Sequence, residues 1–325
     1  MRRIVLGASI VTAALVATAA ALVGTSAGTT SHAQPVSYAV SGNSTSGGGA
    51  GARPAGSVYL SLGDSLAVGV QPNAQGKSLP TGQGYADQLD ASLRTPQRGL
   101  TLVKLGCPGE TTGTMADGGI CGYHRGAETS PTTPAGSQLA AATSYLAAHP
   151  GQVSLITIDI GANDLNPCLA LTGSSAVRAC ADRAIPVAEQ NLTGVLAGLR
   201  FAGYHGTIIG MTYYDPELAD WLTGPSGQQF ARLSEPLLAA YNSALTAVYH
   251  RFGAQIADVF TAFDTTDFTT QVTLPGAGAV PANVARVCAW TWECAARPAG
   301  PNEHANQAGY QVIARTFRAA YLAGR

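Results

Sequence analysis

Five short apolar runs alternate with helix-like stretches along this chain, and that alternation limits the folds open to it. Val58–Leu62, Leu100–Leu105, Val153–Ile160, Thr207–Tyr213 and Ile256–Phe260 are rich in β-branched and other large apolar residues. The stretches Tyr85–Arg94, Ser137–Ala148, Ile185–Arg200, Gln228–Phe252 and His304–Ala323 read as helices. In the last of them Tyr310, Ile313, Phe317 and Tyr321 recur at spacings that give one apolar face. Near-continuous apolar strands alternating with amphipathic helices predict an α/β fold with a parallel sheet covered on both faces. Ligands bind such sheets beyond the carboxyl ends of the strands. Chemistry is therefore expected just after each apolar run.

The chain starts Met1-Arg2-Arg3, then runs apolar and small to about Gly24, with small residues up to Ala33. A basic start, an apolar stretch and a small-x-Ala site describe a secretory signal peptide over residues 1–33, cut after Ala33 or Ala27. The alternative is a retained membrane anchor. Alanine is only weakly apolar and no basic stop signal follows the run, which favours cleavage. Residues 34–56 are mostly Ser, Gly, Ala and Thr. Such a segment buries too little surface to offset its ordering entropy and reads as a flexible leader. Residues 57–325 then form one domain, long enough for a single well-filled core.

A net charge of −1 with 11% charged residues implies no nucleic-acid partner. Six cysteines behind a signal peptide argue for disulfides in an exported protein. Pairing in sequence order (Cys107–Cys121, Cys168–Cys180, Cys288–Cys294) closes loop-like segments locally. A metal site is disfavoured, since no CxxC or nearby His at ligand spacing is present. Asp258, Asp264 and Asp267 likewise lack ligand spacing and read as turn caps. No metal or cofactor is expected.

Four segments carry candidate chemistry. Gly63-Asp64-Ser65-Leu66 follows the first strand, where a tight turn can lift Ser65 out of the sheet as a nucleophile. Leu66-Ala67-Val68 can begin a helix whose N–H groups favour a developing negative charge. Ala67 occupies the last position of a GxSxG elbow, so this is not that motif. After the second strand, Gly106-Cys107-Pro108-Gly109-Glu110 can turn the Gly109 N–H toward the space above Ser65. After the third comes Gly161-Ala162-Asn163-Asp164, where Asn163 can donate an amide N–H to an oxyanion or simply cap a turn. Near the C-terminus, Pro301-Asn302-Glu303-His304-Ala305-Asn306 places His304 at the start of the last helix as a general base.

These four segments, in this order, resemble the blocks of the GDSL, or SGNH, hydrolases, named for their Ser, Gly, Asn and His. The resemblance spans about Ser57 to Arg325. It implies a three-layer α/β/α sandwich with a central parallel sheet, flavodoxin-like, and ester hydrolysis through a Ser65 acyl-enzyme. His304 is then the base, and the Ser65 and Gly109 N–H groups with the Asn163 amide hold the oxyanion. The family usually has an Asp three residues before the histidine, where this chain has Pro301. Glu303 is adjacent to His304 and poorly placed to reach its ring. The Nδ1–H therefore falls to the Pro301 main-chain carbonyl, leaving a Ser–His dyad, or to the Asn302 side-chain oxygen; both stay open. The expected protein is a secreted, monomeric esterase or lipase with no stable membrane anchor. Its substrate is a small-molecule, lipid or polysaccharide ester. A carbohydrate O-acetyl esterase and a catalytically inactive surface-binding module are the alternatives.

Overall fold

The computed structural model describes residues 57–94, 99–121 and 136–325. The signal peptide and leader expected over 1–56 lie outside the described residues. Five parallel strands form the central sheet: β1 (Val58–Gly63), β2 (Thr101–Lys104), β3 (Val153–Asp159), β4 (Thr207–Met211) and β5 (Gln255–Ala257). Their spatial order is β2-β1-β3-β4-β5. The order reverses between β1 and β3, the switch point at which doubly wound sheets open a crevice. β1 is buried along its whole length and so is most of β3, which is why both read as apolar runs.

Helices α1 (Tyr85–Leu93), α2 (Thr112–Asp117), α3 (Gln138–Ala148), α4 (Ala162–Leu169), α5 (Ser174–Phe201), α6 (Pro225–Arg251), α7 (Val259–Ala262), α8 (Ala282–Trp290) and α9 (Gln307–Ala323) flank the sheet. The α1–α9 pair is joined by Tyr85 stacked on Phe317 at 4.6 Å between ring centroids. A second group packs α5 against α2, α3, α4 and α6. The architecture is the expected α/β sandwich. Two short hairpins, Gln71–Leu79 and Gln271–Pro281, lie outside the main sheet. Among the described residues no helix is long and apolar enough to cross a membrane.

Three local expectations need correction. α5 starts at Ser174, well before Ile185, and carries Pro186 inside it. Of its early turns only Val177 and Ala181 are buried, so the apolar pattern that marks a helix is too sparse there. Residues 66–68 form a turn, not a helix. The Leu66 and Ala67 N–H groups are taken by the carboxyls of Asp64 and Asp159, leaving no free helical N-terminus. Finally, α9 begins at Gln307, because Asn306 caps it by accepting from Ala308 N–H and Gly309 N–H. His304 therefore stands in the loop ahead of that helix.

Each cysteine couple has disulfide geometry, with Cα–Cα separations of 6.1 Å for Cys107–Cys121, 5.3 Å for Cys168–Cys180 and 4.9 Å for Cys288–Cys294. The second fastens α4 to the polar start of α5. Asp258 and Asp267 accept from neighbouring N–H groups in their turns, and Asp264 pairs with Arg286.

Candidate active site

Ser65 emerges directly from the end of β1. Gly63, the last residue of that strand, has φ +139°, and a Cβ there would lie 2.2 Å from the Asp159 carbonyl oxygen. The motif's glycine thus lets β1 turn tightly against β3. Beyond it, Asp64 is buried and folds back, its Oδ1 accepting the Leu66 N–H at 2.9 Å. The Ser65 Oγ donates to the same oxygen at 3.5 Å, a weak contact that leaves the hydroxyl available. Tyr213, from the loop after β4, donates its hydroxyl to Asp64 Oδ2 at 2.7 Å.

The loop after β2 is bound to this turn through Cys107 N–H, which donates to the Gly63 carbonyl at 3.0 Å. Gln138, buried at the start of α3, ties the two from the other side. Its Oε1 accepts Gly63 N–H at 2.6 Å and its Nε2 donates to Glu110 Oε2 at 3.0 Å. Gly109 lies in the turn closed by Glu110 N–H on the Cys107 carbonyl, with φ +83°. It is exposed and is not among the residues lining the cavity at Ser65. Asn163 sits in the first turn of α4 and donates Nδ2–H to the Glu110 carbonyl at 2.8 Å. A side-chain amide has two N–H groups, so one remains for a ligand. The next residue, Asp164, accepts from the Thr112 N–H and hydroxyl at 2.8 and 2.7 Å, locking the second and third loops together.

His304 is held by a short antiparallel bridge between Thr291 and Ala305, and by Trp292 N–H donating to its carbonyl. Its Nδ1 lies 2.7 Å from Asn302 Oδ1, and its own main-chain N–H donates to that same oxygen at 3.1 Å. A main-chain N–H can only donate, so the amide atom facing the ring is the oxygen. Nδ1 must therefore carry the proton, which leaves Nε2 unprotonated and able to act as a base. The other end of the amide donates to Ser78 Oγ at 2.8 Å. Of the two acceptors open from the sequence, the Asn302 side chain is the one at Nδ1. The Glu303 carboxylate instead accepts from Asn166, and its carbonyl accepts the Tyr214 hydroxyl.

Burial pushes the His304 imidazole down to about 4, and its partner is an uncharged amide that offers no opposing charge. This yields a pH prediction. Asn302→Asp sets a carboxylate against Nδ1, favours the imidazolium and should move the acid limb of kcat/KM up by about 1–3 pH units. The wild-type limb, by contrast, should sit below the ordinary histidine range. Glu217, Glu293 and Glu303 line the neighbouring cavity in both proteins, so the difference between the two profiles isolates His304. An unchanged limb would contradict this arrangement.

Ser65, Asn163 and His304 line one cavity of roughly 50 Å³, whose apolar wall includes Leu66, Leu165, Leu169 and Leu238. A second cavity of roughly 370 Å³ shares His304 and Glu303 with the first and is lined also by Ser78, Glu217, Glu293 and Asn302. Among the described residues no group of three or more His, Cys, Asp and Glu is placed to hold a metal ion. Gln138, Asp159, Tyr213 and Tyr214 are polar groups that only the fold joins to the site, and no local sequence pattern marks them.

Residues 61–312 match the GDSL-like lipase/acylhydrolase family. The chain belongs to that family. This membership makes it an ester hydrolase. The extracellular lipase of Streptomyces rimosus superposes with a TM-score of 0.53 at 16% identity, covering 81% of this chain and 99% of that one. That likeness establishes the shared fold. A lipase from a goat rumen metagenome gives 0.48 at 17% identity, over 81% and 96% of the two chains. The acetylxylan esterase of Geobacillus stearothermophilus gives 0.44 at 17% identity, over 82% and 94%. No curated protein sequence matches the chain.

Proposed function

We propose that this family member is a secreted, monomeric serine esterase or lipase that cleaves carboxylic esters through a Ser65 acyl-enzyme. The observation carrying the proposal is the convergence of Ser65, Asn163 and a base-competent His304 on one apolar-walled cavity. Ser65 Oγ attacks the ester carbonyl as His304 Nε2 takes its proton. The carbonyl oxygen becomes an oxyanion, held by the Ser65 and Gly109 N–H groups and the free N–H of Asn163. His304 then passes the proton to the departing alcohol, and water attacks the acyl-enzyme by the same route in reverse. The neutral Asn302 fixes ring and tautomer without adding charge, which suits a base that must be unprotonated to take the serine proton. Three disulfides accord with secretion.

We assign the acyl group to the side of the leucine wall and the alcohol part to the polar cavity that shares His304. That second cavity favours one other reading, a carbohydrate O-acetyl esterase, because its carboxyls and amide suit a polyhydroxy alcohol. Esters of graded acyl length separate the two. An esterase or lipase should turn over butyryl and longer esters, whereas activity confined to acetyl esters selects the deacetylase. Labelling by a fluorophosphonate tests the serine itself. Wild type should label and Ser65→Ala should not; no labelling of wild type would point to an inactive binding module.

A further inference from the structure

Asp159 is a fully buried carboxyl that takes no part in the steps proposed for Ser65 and His304. Asp159 ends β3 directly beside Gly63 in the β1–β3 register and is 0% exposed. Its Oδ2 accepts the N–H of Asp64 at 3.3 Å and that of Ala67 at 3.0 Å. Those two groups bracket Ser65 and Leu66. The Asp64 N–H also donates to the Asp159 main-chain carbonyl at 3.0 Å, so the carboxyl oxygen shares that end of the nucleophile turn and alone holds the Ala67 end. Its Oδ1 meets the hydroxyl of Tyr85, which also lies 3.4 Å from Thr157 Oγ1. A Cβ on Gly63 would come within 2.5 Å of that Oδ1, so β1 forgoes a side chain to admit the carboxyl.

Asp64 is buried against the same spot, and among the described residues no Lys or Arg forms an ion pair with either acid. Two adjacent buried carboxyls without a cation do not both ionise. Burial raises Asp64 too, to about 6, while the donors from Leu66 and Tyr213 oppose that rise and favour its charged form. Burial, followed by that neighbouring charge, pushes Asp159 well above the usual carboxylate range. Asp159, raised further than its neighbour, is then the neutral member of the pair, and the Tyr85 hydroxyl donates to its Oδ1.

We propose that Asp159 is a positioning residue for Ser65, a neutral carboxyl that fixes the nucleophile turn and leaves Asp64 as the one negative charge beneath it. The proposal rests on Ser65 being the nucleophile. A second carboxylate here would oppose the oxyanion, so neutrality is part of the role. Asparagine reproduces a neutral carboxyl closely, keeping one oxygen for the two N–H groups.

The test compares wild type, Asp159→Asn and Asp159→Ala by kcat and KM on a p-nitrophenyl ester at neutral pH, with fluorophosphonate labelling rates and circular dichroism. Asp159→Asn should stay within about threefold of wild type in both constants. A folded Asp159→Ala should lose about 30-fold or more in kcat and labelling rate, with KM little changed. A folded Asp159→Asn that falls by about 100-fold would overturn the neutral role, and a fully active Asp159→Ala would overturn positioning. Should the alanine variant fail to fold, the asparagine variant decides alone by the same limits. Wild type that neither labels nor turns over would instead defeat the serine-hydrolase reading.

Discussion

Ser65→Ala should lower kcat for ester hydrolysis by about 10⁴- to 10⁶-fold, with KM nearly unchanged. The hydroxyl supplies the bond that forms, and no neighbouring side chain can take its place. Asp64, the nearest carboxylate, is buried and committed to Leu66 and Tyr213. His304→Ala should fall into the same range, because an unactivated serine hydroxyl is a poor nucleophile. The double variant should fall no further, since groups that act as one unit lose their effect together. Asn163→Ala is expected to lose less, about 10²- to 10³-fold, as only one oxyanion donor disappears. Steady-state kinetics on a p-nitrophenyl ester would check all four. Additive losses for Ser65 and His304 would mean that they do not share a step.

That ranking draws on residues of which some were legible in the sequence and some were not. Ser65, Asn163 and His304 stand out in the sequence because four segments, each weak alone, follow one another in the order of the family's blocks. β1 and β3 could be found because burial on both faces leaves an uninterrupted apolar run. The start of α5 was hidden by its polar exposed turns, and the turn at Leu66–Val68 by hydrogen bonds no local pattern reveals. Asp159 escaped for a related reason. Its partners Asp64 and Tyr85 lie 95 and 74 residues away along the chain, so only the folded sheet brings the polar groups together. The orienting group of His304 was narrowed to two acceptors because both lie within three residues. Choosing between them needed the direction of the Asn302 amide, which the His304 main-chain N–H fixes.

Gly63→Ala should be the most damaging single change to stability in the motif, costing about 3–5 kcal/mol by urea or thermal unfolding. Two costs add. At φ +139° an alanine is strained whatever surrounds it. The new Cβ would also lie 2.2 Å from the Asp159 carbonyl oxygen and 2.5 Å from its Oδ1. The first of these atoms cannot retreat, because β3 is paired on both sides, with β1 and β4. The carboxyl could move only by releasing the Ala67 N–H and its share of the Asp64 N–H, and so loosening the Ser65 turn. Activity in whatever folds should therefore drop along with stability. Gly109→Ala serves as the control, since its φ is also positive, at +83°, yet nothing lies within 4 Å of the added Cβ. It should pay the backbone strain alone, about 1 kcal/mol. Equal losses at the two glycines would show that the close approach of β1 to Asp159 is not what makes Gly63 a glycine.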